Sequence, residues 1–174
     1  MANAVKYTRT LFEPEHDLFR QSYRAFLDKN VAPYHEQWEK DKIVDRGVWL
    51  EAGKQGFLGM AVPEAHGGGG NGDFRYNTIV VEETVAGRYS GLGFSLHNDV
   101  VAPYLLHQTN DEQKPRPLPQ FRTGELLTAI AMPDPRTGSD RLVLMQMAET
   151  KGKRSVLATE IIKGVMVPQF IILP

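Results

Sequence analysis

The residues best suited to chemistry lie in the segment 128–140, which reads TAIAMPDPRTGSD. Within this segment, Gly138 stands between two small hydroxyl residues, Thr137 and Ser139. Glycine and small hydroxyl side chains let main-chain amides approach a ligand closely, so such a segment can hydrogen-bond an anionic or carbonyl-rich ring edge and tune a bound cofactor. The alternative is an ordinary exposed turn, because proline, aspartate, glycine and serine each favour turns for local reasons.

The other residue types that could do chemistry are scattered along the chain. The histidines are His16, His35, His66, His97 and His107. None has a second histidine at the i, i+4 spacing of a helical metal site, so no metal site is predicted. The acidic pair Glu82 and Glu83 has no supporting base or metal, which favours a solvated or bundle-edge role over catalysis. The glycines at 67–70 are not followed by Gly-Lys-Ser/Thr, so they predict no P-loop.

Composition narrows the class of protein. With 174 residues, 41% of them hydrophobic, the chain can form one sizeable core, or a helical domain and part of a second. Its 20 Lys and Arg against 21 Asp and Glu give a net charge of −1, which implies neither nucleic acid nor an anionic membrane as partner. The absence of cysteine excludes disulfides and thiol nucleophiles and is compatible with a cytoplasmic location. Neither a signal peptide nor a membrane span is predicted, because no apolar run is long enough.

Hydrophobic periodicity predicts the helices that position segment 128–140. A first helix is predicted between Glu13 and Val31, with Pro14 tolerated in its first turn. Its apolar face comprises Leu18, Phe19, Tyr23, Phe26, Leu27 and Val31. A short second helix is expected near 34–42, and a third after Asp45, which can cap it. Segment 74–89 suggests a helix packed on several sides, although its β-branched run 78–81 would also suit a strand.

A further helix is predicted over 94–109, with a kink at Pro103. Its inward positions are expected to be Leu96, Val100, Tyr104 and Leu105. From Thr123 onward the sequence contains more β-branched residues and has no regular hydrophobic periodicity. We therefore expect a mainly α fold, with a helical domain over 9–125 and a partial β domain over 126–174.

Four ordered segments together resemble a known family. They are 9–40, 48–70, 79–105 and 124–140, and the last reads GELLTAIAMPDPRTGSD. In this combination they resemble the amino-terminal helical domain and the flavin-contacting turn of acyl-CoA dehydrogenases, closest to the long-chain branch. The resemblance runs from about Arg9 to Asp140.

The resemblance implies a flavoprotein of fatty acid β-oxidation that binds FAD and desaturates an acyl-CoA thioester between its α and β carbons. In that chemistry a base takes the α proton while flavin N5 accepts the β hydrogen as hydride. The implied flavin contacts are Ile130, Ala131, Met132, Thr137, Gly138 and Ser139. Ser139 would also lie nearest the thioester. Implied partners are the fatty acyl-CoA substrate, an electron-transfer flavoprotein and further copies of the chain in a homo-oligomer.

The chain departs from the family pattern at several positions. Pro133 replaces a threonine whose hydroxyl meets the flavin, and Arg136 replaces a glycine. Pro115 and Pro117 fall inside an expected helix and are predicted to break it, because an interior proline costs roughly 3 kcal/mol or more. Beyond Asp140 the match is faint, and no flavin contact is assigned there.

The catalytic base of the family belongs to a carboxy-terminal helical domain that has no counterpart in this sequence. No Glu or Asp of the chain inherits that role, so we assign no catalytic residue and expect little or no activity of the chain alone. The alternative is a helical interaction module that binds a full-length relative or the missing half of a split enzyme. Apolar residues expected to lack strand partners are Val165, Val167, Phe170, Ile171 and Ile172, which predicts low solubility.

Overall fold

The structure, a computed structural model, describes residues 9–131, 150–151, 154–155 and 169–172. The helices of these residues are α1 Pro14–Asn30, α2 His35–Asp41, α3 Arg46–Lys54, α4 Phe74–Ala86, α5 Ala102–His107 and α6 Leu118–Thr123. A 3₁₀ turn, Glu64–His66, precedes α4, and a π-helix, Leu96–Val101, runs into α5. The strands are β1 Thr128–Ala131, β2 Thr150–Lys151, β3 Arg154–Ser155 and β4 Gln169–Ile172. This order confirms the predicted fold class, mainly α with a small amount of β structure after the helices.

The ends of the long helices are fixed by local side chains. Glu13 and His16 form a capping box at the start of α1, in which the Glu13 amide donates to His16 Nδ1 at 3.2 Å. Asp45 caps α3 by accepting a hydrogen bond from the Gly47 amide at 2.6 Å. Asp73 caps α4 in the same way, through the Arg75 amide at 2.9 Å. The predicted α1 and α3 are confirmed, and the open choice at 74–89 is settled as a helix.

We call the helices α1 to α6, together with the residues that connect them, the helical unit. Two apolar clusters form its core. The first joins α1, α3 and α4 through aromatic side chains, including Tyr23, Phe26, Trp49, Phe57 and Phe94. The second lies around α5 and α6 and includes Val62, Val101, Leu105, Leu118 and Phe121. The apolar face predicted for α1 is confirmed as part of the core at Tyr23, Phe26 and Leu27. It is wrong at Leu18, because 63% of the surface of Leu18 is exposed.

The region predicted as one kinked helix over 94–109 begins as the π-helix and continues as α5. The Ala102 amide donates to the carbonyl of His97, five residues earlier, so the turns are wider than in an α-helix. Pro103 lies in the first turn of α5, where α5 continues the π-helix. The predicted inward positions Leu96 and Val100 are wrong, because His97, Asn98 and Val101 are the buried ones.

Helices α3 and α6 approach each other so closely that only glycine fits at one position on each side of the contact. A Cβ at Gly53 would overlap the backbone of Thr123, and a Cβ at Gly124 would overlap the carbonyl of Trp49. Gly124 also has φ 76, in the left-handed region that favours glycine, and ends α6. This contact fixes α6, and with it the start of β1, against α3.

An ion-pair cluster joins α1 to α4. Glu83 is buried and pairs with Arg20 at 2.5 Å and with Arg24, while Glu82 pairs with Arg20 at 2.9 Å and with Arg9 at 2.7 Å. Burial opposes ionisation of Glu83, but the hydrogen bonds from Arg24 and Arg20 outweigh it, and its pKa lies below the usual value. The predicted role was a solvated or bundle-edge one. Both carboxylates lie in ion pairs between helices, and a solvated position is wrong for Glu83, whose side chain is 5% exposed.

The segment between α5 and α6 forms turns instead of a helix, as the prolines at 115 and 117 predict. After α6, β1 pairs antiparallel with β4, with Ile130 opposite Phe170 and Ala129 opposite Ile171. The expectation that residues 170–172 lack a strand partner is therefore wrong for their backbone. Val165 and Val167 lie outside the described residues.

Candidate cofactor and substrate site

Strand β1 carries the part of the candidate site that the structure describes. It is extended over Thr128–Ala131 and includes two of the predicted contact residues, Ile130 and Ala131. The others, namely Met132, Thr137, Gly138 and Ser139, lie outside the described residues and stay predictions. Pro133 and Arg136, where the chain departs from the family pattern, also lie outside them.

Among the described residues, β1 is paired along one of its two edges. β4 occupies one edge of β1, with Ala131 opposite Gln169. Within the part of the chain that the structure describes, no strand lies along the other edge. Amide N–H and C=O groups of a strand alternate between its two edges, so this free edge can offer both donors and acceptors. Such an edge fits the rim of a planar ring that carries carbonyl and N–H groups.

His97 joins the π-helix, α6 and β1. Its Nε2 lies 3.0 Å from the Phe121 carbonyl oxygen and its Nδ1 lies 2.9 Å from the Thr128 hydroxyl. Because a carbonyl oxygen can only accept, Nε2–H is the donor there, and Nδ1 accepts from the hydroxyl of Thr128. The geometry therefore selects one neutral tautomer of the imidazole.

The surroundings of His97 keep it neutral. Its ring stacks on Phe121 with centroids 3.6 Å apart and meets the Trp49 ring edge-on at 5.4 Å. The side chain is fully buried, and burial lowers its pKa to about 4, although the hydrogen bond to Phe121 acts in the opposite direction. The imidazole of His97 is therefore neutral and forms two hydrogen bonds. Through them it sets the position at which β1 leaves the helical unit.

Asn98 fixes the π-helix from its other side. Its Oδ1 accepts a hydrogen bond from the Gly59 amide at 2.9 Å, and its Nδ2 donates to the Phe57 carbonyl at 2.8 Å. Both bonds are buried, and they satisfy backbone groups of the connection that follows α3. Neither His97 nor Asn98 was predicted from the sequence as a site-forming residue. The only sequence signal was a polar pair inside an apolar helical segment.

The exposed side of the π-helix is apolar. Leu96 and Val100 are 38% and 39% exposed, whereas Val101 is buried in the second core cluster. An apolar ligand group can contact Leu96 and Val100 without any rearrangement of the core. Asp99 lies between them, and its carboxylate accepts a hydrogen bond from Asn77 at 2.6 Å. Burial raises the pKa of Asp99, although the bond from Asn77 acts the other way.

Among the residues that the structure describes, no group of three or more His, Asp or Glu side chains is arranged to hold a metal ion. His16 hydrogen-bonds Asp73 at 3.3 Å, and His35 hydrogen-bonds the Ser90 carbonyl at 3.0 Å. These buried histidines have roles in packing the helices. In the same described ranges, no helix has the length and apolar character needed to cross a membrane.

Comparison with known proteins identifies the helical unit. Residues 13–125 match the family described as "Acyl-CoA dehydrogenase, N-terminal domain". The fold of this part is therefore that of the amino-terminal domain of a dehydrogenase. Over 147 residues the chain is 44% identical to the mitochondrial long-chain specific acyl-CoA dehydrogenase of Rattus norvegicus, a match that covers 84% of this chain and 33% of that protein. The chain belongs to the acyl-CoA dehydrogenase family.

Solved structures show the same similarity. An acyl-CoA dehydrogenase from Geobacillus kaustophilus superposes with a TM-score of 0.76 at 39% identity, over 86% of this chain and 39% of that chain. An acyl-CoA dehydrogenase complexed with FAD from Bacillus anthracis gives a TM-score of 0.62 at 28% identity, over 82% of this chain and 24% of that one. The chain spans about a third of the length of the curated relatives that it matches.

Proposed function

We propose that the chain contributes the helical front and the first flavin-contacting strand of an FAD-dependent acyl-CoA dehydrogenase, which desaturates fatty acyl-CoA thioesters between the α and β carbons. The observation that carries this proposal is the anchoring of β1 to the helical unit through His97 and Thr128, with one edge of β1 bordered by no strand of the described residues. Membership of the family and the FAD complex of the Bacillus anthracis relative support it.

The described residues fit an isoalloxazine edge. The backbone of Ile130 and Ala131 can supply N–H and C=O groups to the ring, while Thr137, Gly138 and Ser139 would approach it closely because their side chains are small. Bound FAD would supply the acceptor for the hydride that leaves the β carbon. Ser139 would lie nearest the thioester. Pro133 removes one hydroxyl donor from this set, and Arg136 adds bulk.

The chain's own contribution is positioning. His97 and Asn98 hold the π-helix against α3, α6 and β1, and so set the distance between the strand and the apolar side chains Leu96 and Val100. A fatty acyl group would lie along those two side chains. No carboxylate of the chain is assigned the role of base, so we expect the chain to have little or no dehydrogenase activity alone.

The wider assignments belong to the same proposal. They comprise a role in fatty acid β-oxidation, electron transfer to an electron-transfer flavoprotein, a homo-oligomeric assembly and a cytoplasmic location. The division into a helical domain over 9–125 and a β domain over 126–174 is also proposed, with the match to the family ending at residue 125 in support.

A second candidate function is an interaction module that binds the rest of an acyl-CoA dehydrogenase from another polypeptide. One observation supports it, the exposed apolar side chains on α4 and the π-helix. In that case cofactor contact would depend on the partner.

Titration of the purified chain with FAD tests the proposed cofactor contact. We expect a saturable change in the flavin absorption bands, approaching one FAD per chain. Gly138→Val should weaken this binding by about tenfold, because a branched side chain would keep the backbone away from the ring. Gly72→Ala is the matched control, since a Cβ at Gly72 meets nothing within 4 Å.

Equal affinities of the two glycine variants would contradict the assignment of segment 130–139 to the flavin. Turnover is measured in the same preparations, with a fatty acyl-CoA and an artificial electron acceptor. We expect none from the chain alone. Turnover by the chain alone would contradict this expectation.

A further inference from the structure

Arg122 of α6 carries a buried nitrogen atom without a hydrogen-bond partner. Its Nε is buried and forms no hydrogen bond, and within the described part of the chain its guanidinium forms no ion pair. A buried donor without an acceptor is unfavourable, and the cost is larger for a charged group. An ion or an ordered water commonly supplies the missing acceptor in such cases. Arg122 therefore indicates a position for a ligand.

Other arginines of the helical unit have acceptors in the protein. Arg20 pairs with Glu83 at 2.5 Å, and Arg75 pairs with Asp73 at 2.7 Å. Among the residues that the structure describes, the Nε of Arg122 is the single buried side-chain nitrogen or oxygen atom that has no partner. The missing acceptor is therefore a particular property of this position and not a general property of the fold.

No carboxylate of the described residues neutralises Arg122. Glu125 follows it by three residues, and Glu64 begins the 3₁₀ turn that ends at Gly67. Both glutamates are exposed, and neither forms an ion pair in the ranges that the structure describes. The positive charge of the guanidinium is therefore available to an anion from outside the helical unit.

The side chain of Arg122 crosses the connection between α3 and α4. Its Cα lies close to Gly59, because a Cβ on Gly59 would be 3.1 Å from it. Its Nε lies 4.0 Å from the position that a Cβ on Gly67 would take. Gly67 has φ 81, in the region that favours glycine, so the chain presents backbone and no side chain to the guanidinium at this point. The cation of α6 thus lies beside the glycine turn 67–70.

The glycine turn offers a further donor and room for a ligand. The amides of Gly67, Gly68 and Gly70 donate to carbonyl groups of the turn and of the segment before it. The Gly69 amide, in contrast, has no acceptor among the described residues. A Cβ at Gly69 would meet nothing within 4 Å, so the space around it is open. A group with several acceptor oxygens can therefore use this amide in addition to the guanidinium.

We propose that Arg122, Gly67 and Gly69 form a phosphate site, in which the guanidinium binds the oxygen atoms of a phosphate group. The N–H groups of arginine form a planar fork that matches two phosphate oxygens, and a glycine amide can approach a third oxygen because no Cβ intervenes. The phosphate group can come from free phosphate or from a nucleotide. The phosphate site does not include β1, so it goes beyond the proposed flavin contact, and inorganic phosphate alone tests it.

Nuclear magnetic resonance of the full nitrogen-15-labelled chain tests the phosphate site. Inorganic phosphate is added at constant ionic strength, kept with sodium chloride, so that general screening does not change. The Arg122 Nε–H and Gly69 amide signals should shift saturably, with a dissociation constant of about 1 mM or below. Arg122→Gln should weaken binding by about tenfold or more, because the fork and its charge are lost. Arg122→Lys keeps the charge but not the fork, and should weaken it by about threefold.

Arg116→Gln is the matched control, since Arg116 is an exposed arginine of the turns between α5 and α6 and its replacement changes the net charge equally. Its affinity for phosphate should stay within about twofold of the wild type. Phosphate should raise the melting temperature of the wild type and of Arg116→Gln, but not that of Arg122→Gln. No saturable shift of the Arg122 Nε–H signal, or equal weakening in the two glutamine variants, would overturn the proposal.

Titration with FAD and with coenzyme A, in the wild type and in Arg122→Gln, distinguishes the sources of the phosphate group. Tighter binding than inorganic phosphate, weakened about tenfold in Arg122→Gln, supports the phosphate site with a nucleotide as its ligand. A shift of the Arg122 signal with inorganic phosphate alone supports it with free phosphate as the ligand. If FAD shifts the β1 signals but phosphate leaves Arg122 unchanged, the flavin contact stands and the phosphate site is overturned.

Discussion

Gly53→Ala is expected to lower the free energy of unfolding by about 3 kcal/mol, the upper end of what overpacking in a core usually costs. The added Cβ would overlap the Thr123 backbone, which cannot move aside as a flexible side chain would. The gain in helix propensity from glycine to alanine, about 1 kcal/mol, is too small to offset this overlap. The change in the free energy of unfolding is measured by urea unfolding. The fluorescence of Trp49, which lies at the contact, serves as the signal.

Gly56→Ala is the control for Gly53→Ala. Gly56 has φ 78 but open space around its Cα, so alanine there adds only backbone strain, about 1–2 kcal/mol. The expected order of stability is therefore wild type, Gly56→Ala and then Gly53→Ala. If Gly53→Ala were as stable as the wild type, α3 and α6 could not be in the close contact described.

Glu83→Gln is expected to produce a loss of similar size, about 3 kcal/mol, because it removes the negative partner of Arg20 from a mostly buried ion pair. The Glu83 side chain is 5% exposed and that of Arg20 is 16% exposed, so water cannot fully replace the lost interaction. Arg24 is more exposed and contributes less to the loss. The change is measured at neutral pH, by the same unfolding experiment.

Glu82→Gln is the neighbouring control. The Glu82 side chain is 29% exposed and pairs with Arg9 and Arg20 nearer the surface, so its loss should cost about 1 kcal/mol or less. Acid titration adds a second readout. The pKa of Glu83 is lowered, so the stability that it contributes should be present at neutral pH and be lost as the pH falls through the carboxylate range. Equal effects of the two substitutions would contradict the difference in burial.

Much of the helical unit could be predicted because its signals are local. The period of α1, the proline in its first turn and the Asp45 cap of α3 all depend on residues within one or two turns. The prolines at 115 and 117 act locally as well, and the segment around them forms turns. Leu18 was misplaced because apolar periodicity indicates one face of a helix but not how far the neighbouring helices cover it.

The π-helix could not be predicted, because an α-helical period was applied to a segment with wider turns. That period placed Leu96 and Val100 inward, whereas the actual turns bury His97 and Asn98. The roles of these two residues depend on Thr128, Phe121 and Gly59, which are distant in sequence. No local pattern distinguishes a histidine with two buried partners from one at the surface.

Only part of the candidate site could be predicted from the sequence, because the rest depends on residues that are distant along the chain. Ile130 and Ala131 were named from the resemblance, and the structure places them in β1 next to the helical unit. The pairing of β1 with β4 joins residues about 40 positions apart, which no local pattern at residue 130 could indicate. The contacts expected of Thr137, Gly138 and Ser139 depend on the same resemblance and await the flavin titration.

The central claim is that the helical unit sets the position of β1, the strand proposed to contact the flavin. The protonation state of the His97 imidazole tests this claim most directly. Nitrogen-15 NMR of the full chain, with His97→Gln to identify the signal, reports its protonation and tautomer. The account predicts a neutral ring protonated on Nε2 that titrates only near pH 4, so that stability falls as the pH drops from about 6.5 towards 4. A ring that titrates near pH 6.5, or that is protonated on Nδ1 when neutral, would contradict the anchoring of β1 through Thr128.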